Sequence, residues 1–240
     1  AQIDNITGVS IDSRKIRKGD CFFAIKGHNF DGHDYIDSAI QKGAACAVSS
    51  NGCDHHKIIN VTNTKNALAR LANYYRKAAN FKLIAVTGSV GKTTTRRIIA
   101  RVLAKKYRTW QSPANFNNDI GLPLTILDAP DGTDIVVAEL GSNAPGEIAS
   151  LSKIAAPDIA VVTSIEHAHI EGLGSIEQIK KEKLSIAEGL SADGILLDRP
   201  WRDFKNIPIE HLPNACRFMI ENTQISLPLH GSGNIQNAIT

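Results

Sequence analysis

Four apolar runs, Leu83–Thr87, Ile135–Leu140, Ile159–Ser164 and Gly194–Leu197, have the unbroken hydrophobic character of strands covered on both faces. Segments with apolar residues at helical spacing fall among them, at Lys92–Lys106, Gly146–Ile154 and Ser175–Gly189. That alternation predicts a doubly wound, mostly parallel sheet. Residues 1–80 read differently. Strands are expected at Asp20–Ile25, Ala45–Val48 and Lys57–Val61, with a polar, turn-rich stretch from Lys26 to Asp34. Tyr35, Ile36, Ala39 and Ile40 recur at helical spacing and end at Gly43, a C-cap residue. A helix from about Thr64 to Ala79 carries Leu68, Leu71, Ala72 and Tyr75 on one face. The fold class expected is therefore α/β, with a small N-terminal α/β domain at 1–80 and a central domain at 81–240. The last residues, Asn234–Thr240, read as the opening turn of a helix with no helix behind it, as in a fragment.

Composition narrows the class. A chain of 240 residues has room for two domains, and 42% hydrophobic with 21% charged residues suits a soluble globular protein. With 27 basic and 24 acidic residues the net charge is only +3, which by itself points to no nucleic-acid or membrane partner. No apolar run approaches the ~20 residues of a membrane helix. Ala1-Gln2-Ile3-Asp4 lacks the basic-then-apolar start of a secretory signal, so a cytoplasmic protein without membrane insertion is expected. Cys21, Cys46, Cys53 and Cys216 form no CxxC pair and are expected to be free thiols.

The strongest chemical signal follows the first of the long strands. Leu83–Thr87 runs into Gly88-Ser89-Val90-Gly91-Lys92-Thr93-Thr94, and a helix comes next. Two glycines let the backbone curl so that N–H groups face one anion, and the helix N-terminus adds its positive end. Lys92 supplies charge for nucleotide phosphates, and the Thr93 hydroxyl suits Mg²⁺. The pattern lacks the first glycine of the full phosphate-loop signature, since Val86 stands there. Its placement between buried strand and helix still marks a nucleotide site. Arg96, Arg97, Arg101, Lys105 and Lys106 on the helix read as a solvated face rather than a nucleic-acid surface, since no aromatics interleave with them.

Three further groups fall where an open sheet binds ligands, outside the carboxyl ends of its strands. Glu139 ends an apolar strand and can hold Mg²⁺ or its water; His169 lies past the next strand; Lys183 lies on the following helix. Each has another reading: a surface carboxylate, a zinc site at His167 and His169 that no second pair or CxxC supports, and a solvated run Lys180-Lys181-Glu182-Lys183. The cluster Asn115-Phe116-Asn117-Asn118-Asp119 reads either as a turn or as a cradle for substrate.

Taken together these stretches resemble the Mur ligases of bacterial cell-wall synthesis. The resemblance rests on Thr87–Thr93, Asn115–Pro123, Glu139–Asn143 and His169–Ser175, with Asp12-Ser13-Arg14 and Phe30–Tyr35 nearer the N-terminus. It implies ATP and Mg²⁺ as cofactors. Gly88, Ser89, Val90, Gly91, Lys92, Thr93 and Thr94 would hold the phosphates, with Asn237 at the adenine. Thr93, Glu139, His169 and a carbamylated Lys183 would surround the metal ions. Ser13 and Arg14 would contact the uridine nucleotide, and Asn115, Asn117 and Asn118 the remainder of the substrate. Within the family, Asn115–Asp119 and His169–Ser175 favour the member that joins D-alanyl-D-alanine to a UDP-N-acetylmuramoyl-peptide through an acyl phosphate. Leu184 and Ser185 depart from the family's usual small residue and Glu, and Gly233 stands where His is common. Residues 191–230 are short for the second half of the family's central domain, and the resemblance implies that the family's C-terminal domain is absent. A monomer is expected. Two rivals remain: a sibling ligase adding a single amino acid, and a nucleotide-binding module of the same fold without turnover.

Overall fold

The computed structural model describes residues 5–113, 115–166, 174–198, 208–220, 223–228 and 232–239. The N-terminal part builds a four-stranded parallel sheet from β1 (Gly8–Ser10), β2 (Asp20–Phe23), β3 (Cys46–Ser49) and β4 (Ile58–Asn60), in that order. Helix α1 (Ile36–Gln41) and the buried Phe22, Ala24 and Ala47 make the core of one face. On the other face, Cys21, Phe23, Cys46 and Val48 pack beneath Leu68 of α2 (Thr64–Ala78).

Helix α2 links the two sheets physically. The Asn63 side chain accepts from the Asn66 amide and starts it, satisfying one of the donors every helix N-terminus leaves over. Leu68 belongs to the core under the first sheet, whereas Ala72, one turn on, belongs to the core of the second.

The second sheet has five parallel strands in the order β6 (Thr109–Gln111), β7 (Ile135–Glu139), β5 (Lys82–Thr87), β8 (Ile159–Val162) and β9 (Ile195–Leu197). Successive β5 residues alternate between faces. Ile84 and Val86 meet Ile99, Ala100 and Leu103 of α3 (Lys92–Leu103). Leu83 and Ala85 meet Leu122 and Ile126 of α4 (Gly121–Leu127) and Ile148 and Leu151 of α5 (Glu147–Ala155). Both faces are covered along β5, β7 and β8, as their continuous apolar runs required, whereas the edge strand β9 leaves Ile195 and Leu197 exposed, contrary to the expectation for Gly194–Leu197.

The structure adds elements that the periodicity did not announce. Helix α4 is buried at every position from Gly121 to Ile126, so it has no polar stripe to betray a helix. Helix α6 (Ile176–Leu184) ends earlier than its pattern suggested and continues as a 3₁₀ turn, Ser185–Gly189. Strands β10 (Ile209–Leu212), β11 (Ala215–Ile220) and β12 (Thr223–Leu227) form an antiparallel sheet. Its Cys216, Phe218 and Leu227 pack with Ile235 of α7 (Ser232–Ile239) and with Ile98 on α3. The expected opening turn at Asn234 is thus part of an eight-residue helix docked on the phosphate-loop helix.

Candidate active site

The turn between β5 and α3 needs its glycines. Gly88 has φ 147° and Gly91 φ 88°, values that side chains rarely adopt. A Cβ on Gly88 would also collide with the Thr163 hydroxyl, and one on Gly91 with the Asn237 side chain. Asn237 therefore lies against the phosphate loop itself. The Ser89 and Val90 amides are bonded to Ser164, and the Ser89 hydroxyl bridges to the backbone of Glu166. These contacts fasten the loop to the exit of β8. The N–H groups left open to an anion are those of the first turn of α3, which have no intrahelical acceptor. Lys92 Nζ lies over the loop, 2.8 Å from the Gly88 carbonyl and 3.1 Å from that of Ser89. Burial holds its pKa below the ordinary lysine value, partly opposed by the charge of Glu139.

Glu139, at the end of β7, is 3% exposed. Its Oε2 accepts from the Thr93 hydroxyl at 2.8 Å, and its Oε1 from Asn117 Nδ2 at 3.1 Å. Neighbouring ligands of an octahedral Mg²⁺ at 2.0–2.1 Å are about 2.9 Å apart. The Thr93 and Glu139 oxygens have that spacing and the hard-oxygen chemistry Mg²⁺ takes. These residues fit the ion.

Behind Glu139 stands Arg96, which the pattern placed on a solvated face. It is 2% exposed, with Nε 3.6 Å from Glu139 Oε2 and Nη1 donating to the Ser112 carbonyl. The other basic residues of that run, Arg97, Arg101, Lys105 and Lys106, are exposed. Spacing could have separated them: Arg96 lies four residues after Lys92 and so shares its side of the helix.

Lys183 likewise departs from the solvated run that the sequence suggested. Lys180 and Lys181 are exposed, whereas Glu182 is 5% and Lys183 1% exposed. Lys183 Nζ lies 2.7 Å from Ser142 Oγ. Burial, then the nearby Lys92 charge, lowers its pKa to about 8, against the opposing pull of Glu182 and Glu147. Glu182 accepts from the Gly146 and Ile148 amides at 2.7 and 2.8 Å, binding α6 to the start of α5.

The asparagine cluster proves to be both turn and lining. Asn118 Oδ1 accepts from the Ile120 and Gly121 amides and starts α4, while Asn117 reaches Glu139; Asn115 is exposed. Lys92, Asn117, Asn118, Ser142, Asn143 and Glu147 line a cleft of about 650 Å³, which Lys65 of α2 also borders. Lys65 pairs with Asp119 at 3.1 Å across its edge, a contact the sequence did not signal. Ser13 and Arg14 are not among the lining residues; Ser13 is buried, and Arg14 is exposed and paired with Asp12. His169 lies outside the described residues.

Comparison with known proteins agrees with this geometry. Residues 86–207 match the Mur ligase middle domain, and residues 5–76 the Mur ligase family catalytic domain. A UDP-N-acetylmuramoyl-tripeptide–D-alanyl-D-alanine ligase of Bacillus subtilis (strain 168) is 43% identical over 98% of this chain and 57% of its own length. The enzyme of that name from Escherichia coli (strain K12) is 33% identical over 95% of this chain and 52% of its own. Among solved structures, MurF from Acinetobacter baumannii superposes with a TM-score of 0.87 at 30% identity, over 98% of this chain and 58% of that one. The MurF ligase of Thermotoga maritima in complex with ADP gives 0.86 at 29% identity, over 97% and 61%. The chain thus spans little more than half the length of the curated relatives it matches.

Proposed function

The chain belongs to the Mur ligase family, and we propose that it carries the nucleotide- and muramoyl-peptide-binding parts of an ATP-dependent ligase that joins D-alanyl-D-alanine to a UDP-N-acetylmuramoyl-tripeptide. The observation that carries this reading is the pairing of Thr93 with Glu139, which also holds Asn117, a residue that with Lys92 lines the 650 Å³ cleft. The 43% identity to the Bacillus subtilis ligase supports this acceptor over a single amino acid.

In this reading the substrate carboxylate attacks the γ-phosphate of ATP, and the dipeptide amine then displaces phosphate from the acyl carbon. Lys92 and the α3 N-terminus bind and orient the phosphates, and Asn237 beside Gly91 borders the nucleotide. Thr93 and Glu139, with His169, would hold Mg²⁺, which when bound neutralises charge on the transferred phosphoryl group. Asn117 and Arg96 orient the Glu139 carboxylate. Lys183, as a carbamate, would present an anion at the same cleft. Little covalent chemistry falls to side chains; the work is positioning and charge compensation. Ser13 and Arg14 belong to the uridine end of the substrate. Cytoplasmic, monomeric operation without nucleic acid is part of the same proposal, and no described helix is long and apolar enough to cross a membrane.

The test is phosphate release from ATP by a protein carrying this chain at the length of its relatives. Release that needs both UDP-N-acetylmuramoyl-tripeptide and D-alanyl-D-alanine is expected. Release with a single amino acid would move the protein to a sibling ligase, and binding of ATP without release would leave a non-catalytic module.

A further inference from the structure

Lys183 is 1% exposed, and the group that meets its Nζ is a neutral hydroxyl, Ser142 Oγ at 2.7 Å. A site built to keep an ammonium would set a carboxylate there, because a buried cation is strongly disfavoured unless it is paired. Glu182, next to Lys183 on α6, has a carboxylate but spends it on the Gly146 and Ile148 amides. The cation Lys92 stands close enough to oppose a second positive charge. Glu182 and Glu147 pull the other way, but the atom that Nζ touches is a hydroxyl, which serves a neutral amine as well as an ammonium.

The segment that presents Ser142 is fixed on both sides. Gly141 N donates to the Asn117 carbonyl at 2.8 Å, and the Asn143 and Ala144 amides donate to Glu147 Oε2 at 2.7 and 3.2 Å. Beyond them, Glu182 grips residues 146 and 148. Neighbouring residues of α6 therefore hold this one loop, Glu182 by its backbone and Lys183 by its hydroxyl. Ser142 is itself 7% exposed and lines the cleft that Lys92 enters.

We propose that Ser142 is the positioning residue for Lys183, fixing Nζ where it takes up dissolved CO₂ and keeping the resulting carbamate aimed into the cleft. This rests on the reading that Lys183 carries a carbamate. In the step, the lone pair of the neutral amine forms an N–C bond with CO₂. One C=O π pair moves to oxygen, and a proton leaves the nitrogen for water. A hydroxyl serves both sides of that change. It accepts from the amine N–H beforehand, and by rotating it donates to a carbamate oxygen afterwards. It also restrains a side chain that would otherwise sample many rotamers. A carboxylate at this position could do only the first, and alanine neither.

The experiment uses the chain with ¹³C-labelled bicarbonate, reading the carbamate carbon by NMR, with Lys183→Arg to assign the signal. Matched thermal unfolding checks that each variant is folded. A signal in the unsubstituted chain that Lys183→Arg abolishes is expected. At fixed bicarbonate, Ser142→Ala should lower its occupancy about tenfold, the value of one well-made hydrogen bond to a charged group. Ser142→Thr, which keeps the hydroxyl, should retain most of it. Equal occupancy in the parent and in Ser142→Ala overturns the role of Ser142 while leaving the carbamate standing. The same signal lost in both the Ala and Thr variants also overturns it, because the hydroxyl would not be what matters. Absence of any signal in the parent chain removes the carbamate reading itself.

Discussion

Arg76 of α2 and Asp158, the residue before β8, form a 2.6 Å ion pair at the junction of the two sheets. The guanidinium also donates to the carbonyls of Phe81, Ala155 and Ala156, so it closes the end of α5 and the start of β5 together. Ala156 is the one described non-glycine residue with positive φ, 41°, and its carbonyl is among those Arg76 holds. Asp158 in turn accepts from Lys82 and from the Leu83 amide. One buried arginine thus fixes how α2 meets the sheet that carries the phosphate loop.

Asp158→Asn should destabilise the chain by about 3 kcal/mol, because it leaves Arg76 buried without its counter-charge. Burial alone would raise the Asp158 pKa, but hydrogen bonds from Lys82 and Leu83 and the charge of Arg76 outweigh it and hold the group below its ordinary 3.8. A depressed carboxyl pKa stabilises the fold above the unfolded value and ceases to do so as pH falls through the folded one. The gap between parent and variant in urea unfolding should therefore be full at neutral pH and shrink below about pH 4. A pH-independent gap would show that Asp158 acts through shape rather than charge.

Lys92→Ala should remove most of the thermal stabilisation that ATP gives. A ligand at a hundred times its dissociation constant stabilises by about 2.7 kcal/mol, which is an easily measured shift in Tm. The variant should unfold at nearly the parent temperature without nucleotide, since the hydrogen bonds of Lys92 go to carbonyls of its own loop and its attraction to Glu139 is offset by its repulsion of Lys183. Undiminished ATP stabilisation would mean that the phosphates are held elsewhere.

Gly91→Ala places a methyl where the backbone is left-handed and where Asn237 already lies. The left-handed conformation alone costs about 1–2 kcal/mol for a residue with a Cβ. Relief requires the Asn237 side chain to turn away from the loop, so nucleotide stabilisation should weaken while the packing of Ile235 with Ile98 can persist. Double substitution with Asn237→Gly should recover part of the loss, and no recovery would mean that strain, not the Asn237 contact, dominates.

The parallel sheet and the phosphate loop were legible because each has a local cause. Strands covered on both faces must be apolar throughout, and a GKT turn needs glycine at fixed positions. What escaped detection depended on contacts distant in sequence. Helix α4 is buried on every side, so its seven residues carry no periodic contrast. Arg96 and Lys183 lie in charge runs whose other basic members are solvated, and only the packing of β7 and the 142–148 loop selects which charge is buried. Ser13 and Arg14, identified by resemblance, lie after β1 and outside the cleft lining, so no feature of the cleft itself marks them.

Lys183→Ala should abolish turnover in a protein carrying this chain at its relatives' length, and added bicarbonate should not restore it. Alanine has no amine to take up CO₂, so the missing anion cannot be regenerated at that position. The substitution does leave space beside Ser142, because four methylenes and the amine of a side chain only 1% exposed are removed. A short carboxylate such as acetate or propionate can enter there, accept from the Ser142 hydroxyl and present negative charge toward the cleft. Partial, saturable recovery of phosphate release with rising carboxylate concentration is the expected result. Recovery should be weaker in the Lys183→Ala, Ser142→Ala double variant, where the anion loses its hydrogen bond. Turnover unchanged by Lys183→Ala would sink the anionic role of this lysine, and the buried amine would then be no more than a structural partner for Ser142.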